Sequence, residues 1–264
     1  MPRIGLIGGT GIYTPQLMEN ALERVESTPY GDAKVMIGNS EGVEVAFITR
    51  HGSKHSLPPH LVNYRANIMA LKQLGVELII ATAAVGSLHL DRRPGEYVLA
   101  DQFLDFTKTR KTTFFDGGEQ GVTHCDMTIP YCTYVRSAIE KAGHAIGLKI
   151  HNGGTYVCTE GPRFETAAEI NMFKMLGGNL VGMTSVPEVC LARELGICYG
   201  NISIVTNHAA GIAPHILTHA EVIEVMKNSM NDVRYLMKES LKYLSGPRDC
   251  VCSSIGQQGG ARLS

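Results

Sequence analysis

The sequence has no surplus of positive charge: 24 Lys and Arg stand against 25 Asp and Glu in 264 residues, a formal net charge of -1. Without a basic field to displace counterions, a nucleic-acid-binding role is disfavoured. Long hydrophobic runs are missing too. The longest nearly uncharged apolar stretch, Leu78 to Leu88, falls far short of the ~20 residues that span a bilayer, so no membrane partner is expected. The opening MPRIGLIGGTG lacks the charged, apolar and cleavage regions of a secretory leader, and the expected location is the cytoplasm. The seven cysteines are irregularly spaced and form neither a disulfide framework nor a zinc pattern; reduced thiols are the expectation. No repeat of fixed period and no Pro/Ser/Gly-rich linker interrupts the chain before Ser245.

What is present is enough apolar material for a sizeable core: 44% hydrophobic against 19% charged residues. One domain is expected over residues 1–244. The tail from Ser245 to Ser264, rich in Gly, Ser and Gln and without a hydrophobic period, is expected to be mobile. Its Cys250 and Cys252 form a CxC pair able to close a local disulfide under oxidation.

Short apolar runs rich in β-branched residues alternate with helical patterns, which predicts an α/β fold with a largely buried sheet. Strands are predicted at Arg3 to Ile7, Val35 to Ile37, Val43 to Thr49, Leu78 to Ala84, Tyr97 to Phe106, Thr155 to Thr159, Leu180 to Met183 and Cys198 to Thr206. Asn63 to Leu74 places Ile68, Leu71 and Leu74 on one helical face, with Gly75 as a stop. Pro130 to Ala142, Thr166 to Leu176, Pro187 to Leu195 and Ala220 to Tyr243 are predicted helices as well. The polar, turn-rich stretch Thr107 to Thr128 has the character of a functional loop.

Six segments could contact a ligand, five of them at strand ends. Ile7-Gly8-Gly9-Thr10-Gly11 follows the first strand, where glycines let backbone N–H groups approach an anion and Thr10 adds a donor. A tight turn is the competing reading. A dinucleotide fingerprint fails, because Ile12, Tyr13 and Thr14 follow without a third glycine and Pro15 comes next. Thr49-Arg50-His51-Gly52 offers a guanidinium fork for phosphate at a strand end, against the alternative of an exposed Arg with a packed His. His51, His55 and His60 lack a carboxylate or Cys at ligand spacing, so no metal is expected there. Ala83-Ala84-Val85-Gly86-Ser87 leaves room against the backbone, or merely allows close helix–sheet packing. Glu160-Gly161-Pro162-Arg163-Phe164-Glu165-Thr166 supplies an aromatic face and a carboxylate, although Glu165 could serve only as a helix-start charge. Gly182-Met183-Thr184 with Val186-Pro187-Glu188, and Thr206-Asn207-His208-Ala209-Ala210-Gly211, complete the set.

Taken in order, GGTGI, RHG, NYRANIMALK, AVGSL, EGPRFET, GMTSVPE and VTNHAAG resemble the trimeric purine nucleoside phosphorylase and methylthioadenosine phosphorylase family, from Ile4 to about Tyr243. The resemblance implies a single domain with a central mixed β-sheet flanked by helices, a homotrimer or dimer of trimers, and phosphorolysis of a purine nucleoside. No cofactor is implied beyond inorganic phosphate as co-substrate. It assigns phosphate to Thr10, Arg50, His51, the backbone at Ala84 and Thr184, the ribose to Met183, and the base to Phe164, Glu165, Asn207 and Ala209. Ala83 stands where some relatives carry a hydroxyl, so one phosphate hydrogen bond is expected to be lost. His124 resembles a residue that a neighbouring subunit inserts over the 5′ position.

Relatives acting on 6-aminopurines end the last strand with Asp-x-Asp, where this chain has Asn207 and Ala209. A carboxylate only accepts, whereas an amide gives one hydrogen bond and takes another, serving O6 and N7–H of a 6-oxopurine together. Glu165 can accept from N1–H, which adenine lacks. The pair Asn207 and Glu165 therefore predicts inosine or guanosine as substrate. His219, where methylthio-preferring relatives place an apolar residue, favours an ordinary 5′-hydroxyl, with an exposed helix-start His as the alternative. The competing functions are a phosphorylase of 5′-methylthioinosine or 5′-methylthioadenosine, a non-catalytic purine-binding protein, and a hydrolase.

Overall fold

The computed structural model describes residues 1–12, 17–52, 56–118, 121–214 and 218–258. The stretch Tyr13-Thr14-Pro15, His55 and the tail end 259–264 lie outside the described residues. In chain order the elements are β1 (Ile4–Gly8), β2 (Glu19–Thr28), β3 (Gly31–Ser40), β4 (Val43–Thr49), α1 (Tyr64–Gln73), β5 (Leu78–Ser87), β6 (Tyr97–Leu99), β7 (Gln102–Phe106), α2 (Thr133–Ala145), β8 (Ile150–Asn152), β9 (Thr155–Thr159), α3 (Ala167–Met175), β10 (Leu180–Gly182), α4 (Ser185–Glu194), β11 (Cys198–His208), α5 (His219–Lys242) and α6 (Cys252–Gln258).

The strands form one mixed sheet in the order β2-β3-β4-β1-β5-β10-β9-β7, with β11 on the other edge of β5, followed by β6 and β8. Strand alternation sends side chains to two different cores. Ile4, Leu6, Leu78, Ile80, Ile202 and Ile204 face one side, where Val135 and Ile139 of α2 and Val233 and Leu236 of α5 cover them. Ile7, Ile79, Ala81 and Val205 face the other, against Ile68 and Leu71 of α1 and Val189 and Leu191 of α4. Ile79 and Ile80 are fully buried; truncating either to Ala costs about 2–5 kcal/mol, the transfer term plus the cavity left behind.

Helix α1 shows how local chemistry sets its bounds. Asn63 caps it, its side chain accepting from the Ala66 N–H at 3.1 Å. Gly75, at φ +84°, ends it in a Schellman pair: Gly75 N–H to Lys72 O at 3.0 Å and Val76 N–H to Leu71 O at 3.0 Å.

The structure departs from the sequence prediction in four places. Strand β2 was not predicted, because its residues are polar and mostly exposed; it is held by antiparallel pairing to β3 rather than by burial. The three-residue β8, also unpredicted, pairs with β6. The predicted strand Tyr97 to Phe106 is two strands. It breaks at Asp101, whose carboxylate accepts from Gly154 N–H at 2.9 Å, as the chain leaves β11 and β8 for β9. The described part of the tail, where no element is predicted, contains α6, with Cys252 and Ile255 buried. No helix of the described residues is long and apolar enough to cross a membrane.

Candidate active site

The sheet divides around β5. Strand β11 pairs with it in parallel from Leu78 to Ser87. On the opposite edge β1 stops at Ala81 and β10 joins only at Gly86. Thr82 to Val85 therefore have no strand partner on that edge among the described residues, and their polar groups find others. Thr82 O accepts from Arg50 Nη1 at 2.7 Å, and Thr82 Oγ1 accepts from Gly9 N–H at 2.9 Å. Because β10 runs antiparallel to β5, its C-terminal end points back towards the ends of β1 and β4. A cavity of about 420 Å³ opens in this split, where α/β sheets place ligands.

Of the residues singled out in the sequence, Thr10, Arg50, His51, Ala84, Phe164, Glu165, Met183, Thr184, Asn207, Ala209 and His219 all line this cavity. His124 does not: it is exposed in the loop before α2.

Arg50 is not an exposed cation but a fully buried one. Its Nε donates to Glu188 Oε1 at 2.5 Å and its Nη2 to Glu188 Oε2 at 2.8 Å. Tyr199 donates its hydroxyl to the same carboxylate at 2.7 Å. Burial pulls the Arg50 pKa down, but the charge and hydrogen bonds of Glu188 override it and hold the guanidinium above its ordinary value. These contacts use three of the five guanidinium N–H groups. The remaining two belong to a charged fork fixed at the cavity wall.

Beside it, His51 Nδ1 lies 2.8 Å from Leu57 O. A carbonyl only accepts, so Nδ1 carries the hydrogen there and donates it to Leu57 O. Thr184 stands at the N-terminus of α4 and makes no side-chain cap bond to the helix. The first-turn N–H groups and the positive end of the helix dipole thus lie beside the Thr184 hydroxyl, an environment that favours an anion. Gly9 completes the wall by close approach: a Cβ there would meet Thr82 O at 2.7 Å and Arg50 Nη1 at 3.0 Å.

At the other end of the cavity, β11 carries a bulge between Val205 and Asn207, after which Asn207 pairs with Gly86. One inserted residue re-aims the side chains that follow. Thr206 Oγ1 donates to Asn207 Oδ1 at 2.8 Å, and Asn207 Nδ2 donates to His208 O at 2.9 Å. The second bond fixes the amide orientation, since two oxygens would repel there. One donor hydrogen and one acceptor lone pair remain on the amide. Glu165 accepts from Thr159 Oγ1 at 2.6 Å. Burial pushes its pKa above the usual glutamate value, opposed by that hydrogen bond.

Two residues escaped sequence reasoning. Glu188 carries no sequence signal of its role, because only the fold brings it to Arg50, 138 residues away. Arg110, from the polar loop, has almost no exposed side-chain surface. It donates to Thr159 O at 3.0 Å, to Glu160 O at 2.6 Å and to Met183 O, clamping the ends of β9 and β10 beside the cavity. Three basic residues, Lys108, Arg110 and Lys111, stand together in that loop, and nothing in the sequence marks Arg110 among them.

The mixed, split sheet brings a buried Arg–Glu pair, a helix N-terminus and an amide to the walls of one cavity. The chain belongs to the phosphorylase superfamily, whose family model matches residues 3–242. It is 52% identical over 257 residues to a "Probable 6-oxopurine nucleoside phosphorylase" of Thermococcus kodakarensis, covering 96% of each chain. It is 49% identical to a "Probable S-methyl-5'-thioinosine phosphorylase" of Methanothermobacter thermautotrophicus, covering 94% of this chain and 87% of that one. Among solved structures it is similar to methylthioadenosine phosphorylase from Schistosoma mansoni in complex with adenine, with a TM-score of 0.91 at 32% identity, covering 98% of this chain and 97% of that chain.

Proposed function

We propose that this enzyme cleaves 6-oxopurine nucleosides, inosine and guanosine, with inorganic phosphate to give the free base and ribose 1-phosphate, and needs no other cofactor. Phosphate sits against Thr10, Arg50, His51, the Ala84 backbone and Thr184. Its oxygen attacks C1′ as the bond from C1′ to N9 breaks, and the bonding electrons pass to the purine. Charge separates in the transition state between a cationic sugar and an anionic base, so preorganised donors and acceptors at both ends lower the barrier. Met183 packs against the ribose and Phe164 against the base. The proton that hydrogen phosphate gives up on becoming an ester passes through water to N7 of the departing base, and Asn207 Oδ1 accepts from that N–H while Asn207 Nδ2 donates to O6. Glu165 accepts from N1–H, and Ala209 leaves room where a second carboxylate would suit an amino group.

The observation that carries this reading is the Asn207 amide, held at the bulge with one donor and one acceptor still to give. Inosine, guanosine, adenosine and the two methylthio nucleosides, each incubated with and without phosphate, test it. Base release from inosine and guanosine that requires phosphate supports it. Adenosine cleaved faster than inosine refutes the specificity, free ribose formed without phosphate makes the enzyme a hydrolase, and binding without turnover makes it a purine-binding protein.

The 5′ position admits a second reading. His219 and Val222 both line the cavity, one turn apart at the start of α5. The imidazole suits a 5′-hydroxyl and the isopropyl group suits a methylthio group, so S-methyl-5′-thioinosine is the alternative substrate with the same base.

Leu57 and Phe164, which line the cavity, are both substantially exposed apolar side chains, which supports a subunit contact there. The assembly is a homotrimer or dimer of trimers, with His124 acting in a neighbour's site in the cytoplasm. Mass measurement in solution and His124→Ala kinetics test this; a fully active monomer contradicts it.

A further inference from the structure

We infer that Cys132, Cys198, Cys250 and Cys252 form a tetrathiolate site for a structural zinc ion. Their irregular spacing in the chain concealed the cluster. The fold brings all four Sγ atoms within 4.8 Å of one another, with Cys198 and Cys250 sulfurs 3.3 Å apart. Four thiolates around one zinc at about 2.3 Å are separated by about 3.8 Å, inside this range. A disulfide requires about 2.05 Å, and all four are free cysteines.

Two further features point the same way. A zinc tetrathiolate carries a charge of about -2 and needs donors around its sulfurs. Arg193, itself only 3% exposed, directs Nη1 at Cys252 Sγ at 3.4 Å. Arg248 directs Nη1 at Gly196 O at 3.2 Å and at Cys198 Sγ at 3.9 Å. Each guanidinium has a carboxylate nearby, Asp126 and Glu77 respectively, at 3.6 Å, yet both turn an N–H to sulfur.

The second feature is the placement of the C-terminal segment. After Ser245 only Cys252 and Ile255 are buried among the described side chains, with Cys250 partly buried beside them, so apolar burial holds that segment at few points. Cys132 precedes α2 and Cys198 opens β11, already tied by the Cys132 N–H to Tyr199 O bond at 2.8 Å. Zinc held by these two and by the CxC pair fastens the segment to the body. Cys198 lies at the opposite end of β11 from Asn207, about 30 Å away by strand rise. The ion therefore stabilises the chain and takes no part in the reaction.

The test is metal analysis of the full-length protein, purified under reducing conditions in chelator-free buffer. About one zinc per chain, retained through gel filtration in EDTA, is expected. Cobalt(II) exchanged into the site is expected to give the d–d and thiolate charge-transfer bands of a tetrahedral thiolate complex. Cys198→Ser is expected to lose the metal and to melt at lower temperature. If that variant does not fold, the half-buried Cys250→Ser and the cobalt spectrum of the unaltered protein still decide. Cys125→Ser and Cys190→Ser, outside the cluster, are expected to keep the zinc. Below about a tenth of a zinc per chain, both as purified and after dialysis against zinc with thiols reduced, overturns the site. So does alkylation of the denatured, unreduced, metal-free chain at fewer than its seven cysteines, which would show disulfides in its place.

Discussion

Arg50 and Glu188, 138 residues apart in the chain, meet as a two-pronged ion pair with both side chains buried. Neither charge faces bulk water, so each depends on the other, and the fork left over on Arg50 can face the cavity only because Glu188 holds the opposite edge.

Glu188→Gln removes the counter-charge while nearly keeping the shape. Breaking a buried pair from one side costs about 3–5 kcal/mol of stability. The phosphate KM is expected to rise about 10-fold or more, with a smaller change in the nucleoside KM, because the orientation of the Arg50 fork is lost. Saturation kinetics in each substrate, with a thermal melt, check this. An unchanged phosphate KM would detach Arg50 from the phosphate.

Gly9→Ala places a methyl group 2.7 Å from the Thr82 carbonyl and 3.0 Å from Arg50 Nη1, closer than unstrained contacts allow. A shift of this wall displaces the Gly9 N–H and the guanidinium together. The expected result is a fall of about 10- to 100-fold in kcat/KM, read mainly in phosphate dependence. Wild-type phosphate kinetics in this variant would contradict the cradle.

Acid stability follows from Glu96. Burial works against its charge, but hydrogen bonds from Lys149, His151 and the Arg93 backbone N–H prevail and hold its pKa near about 2, below the ordinary 4.5. A depressed carboxyl stabilises the fold above its unfolded pKa, and that stability is lost as pH falls through the folded value. Melting temperature should therefore drop between about pH 5 and about pH 2, and Glu96→Gln should flatten the drop. An equal slope in both proteins would remove Glu96 as a cause.

The strands that were legible in the sequence are those buried on both faces. Leu78–Ser87 and Cys198–His208 read as apolar runs because helices cover both sides of them. Strand β2 was illegible because pairing to β3 and exposed polar contacts hold it with little burial, and its exposed Leu22 and Val25 set no period. At the site, glycines, Arg50 and Asn207 announced themselves at strand ends. Glu188 and Arg110 did not, because their roles depend on contacts across the fold, 138 and 73 residues away. The four clustered cysteines were hidden for the same reason.

The amide at Asn207 is the centre of the specificity, and exchange of one atom tests it. Inosine and adenosine kcat/KM values, measured side by side for the wild type and Asn207→Asp, give the inosine-to-adenosine ratio for each. The wild type should favour inosine, and the carboxylate variant, which can only accept, should lower the ratio by about 100-fold or more. A ratio that stays where it was in the variant would contradict the account.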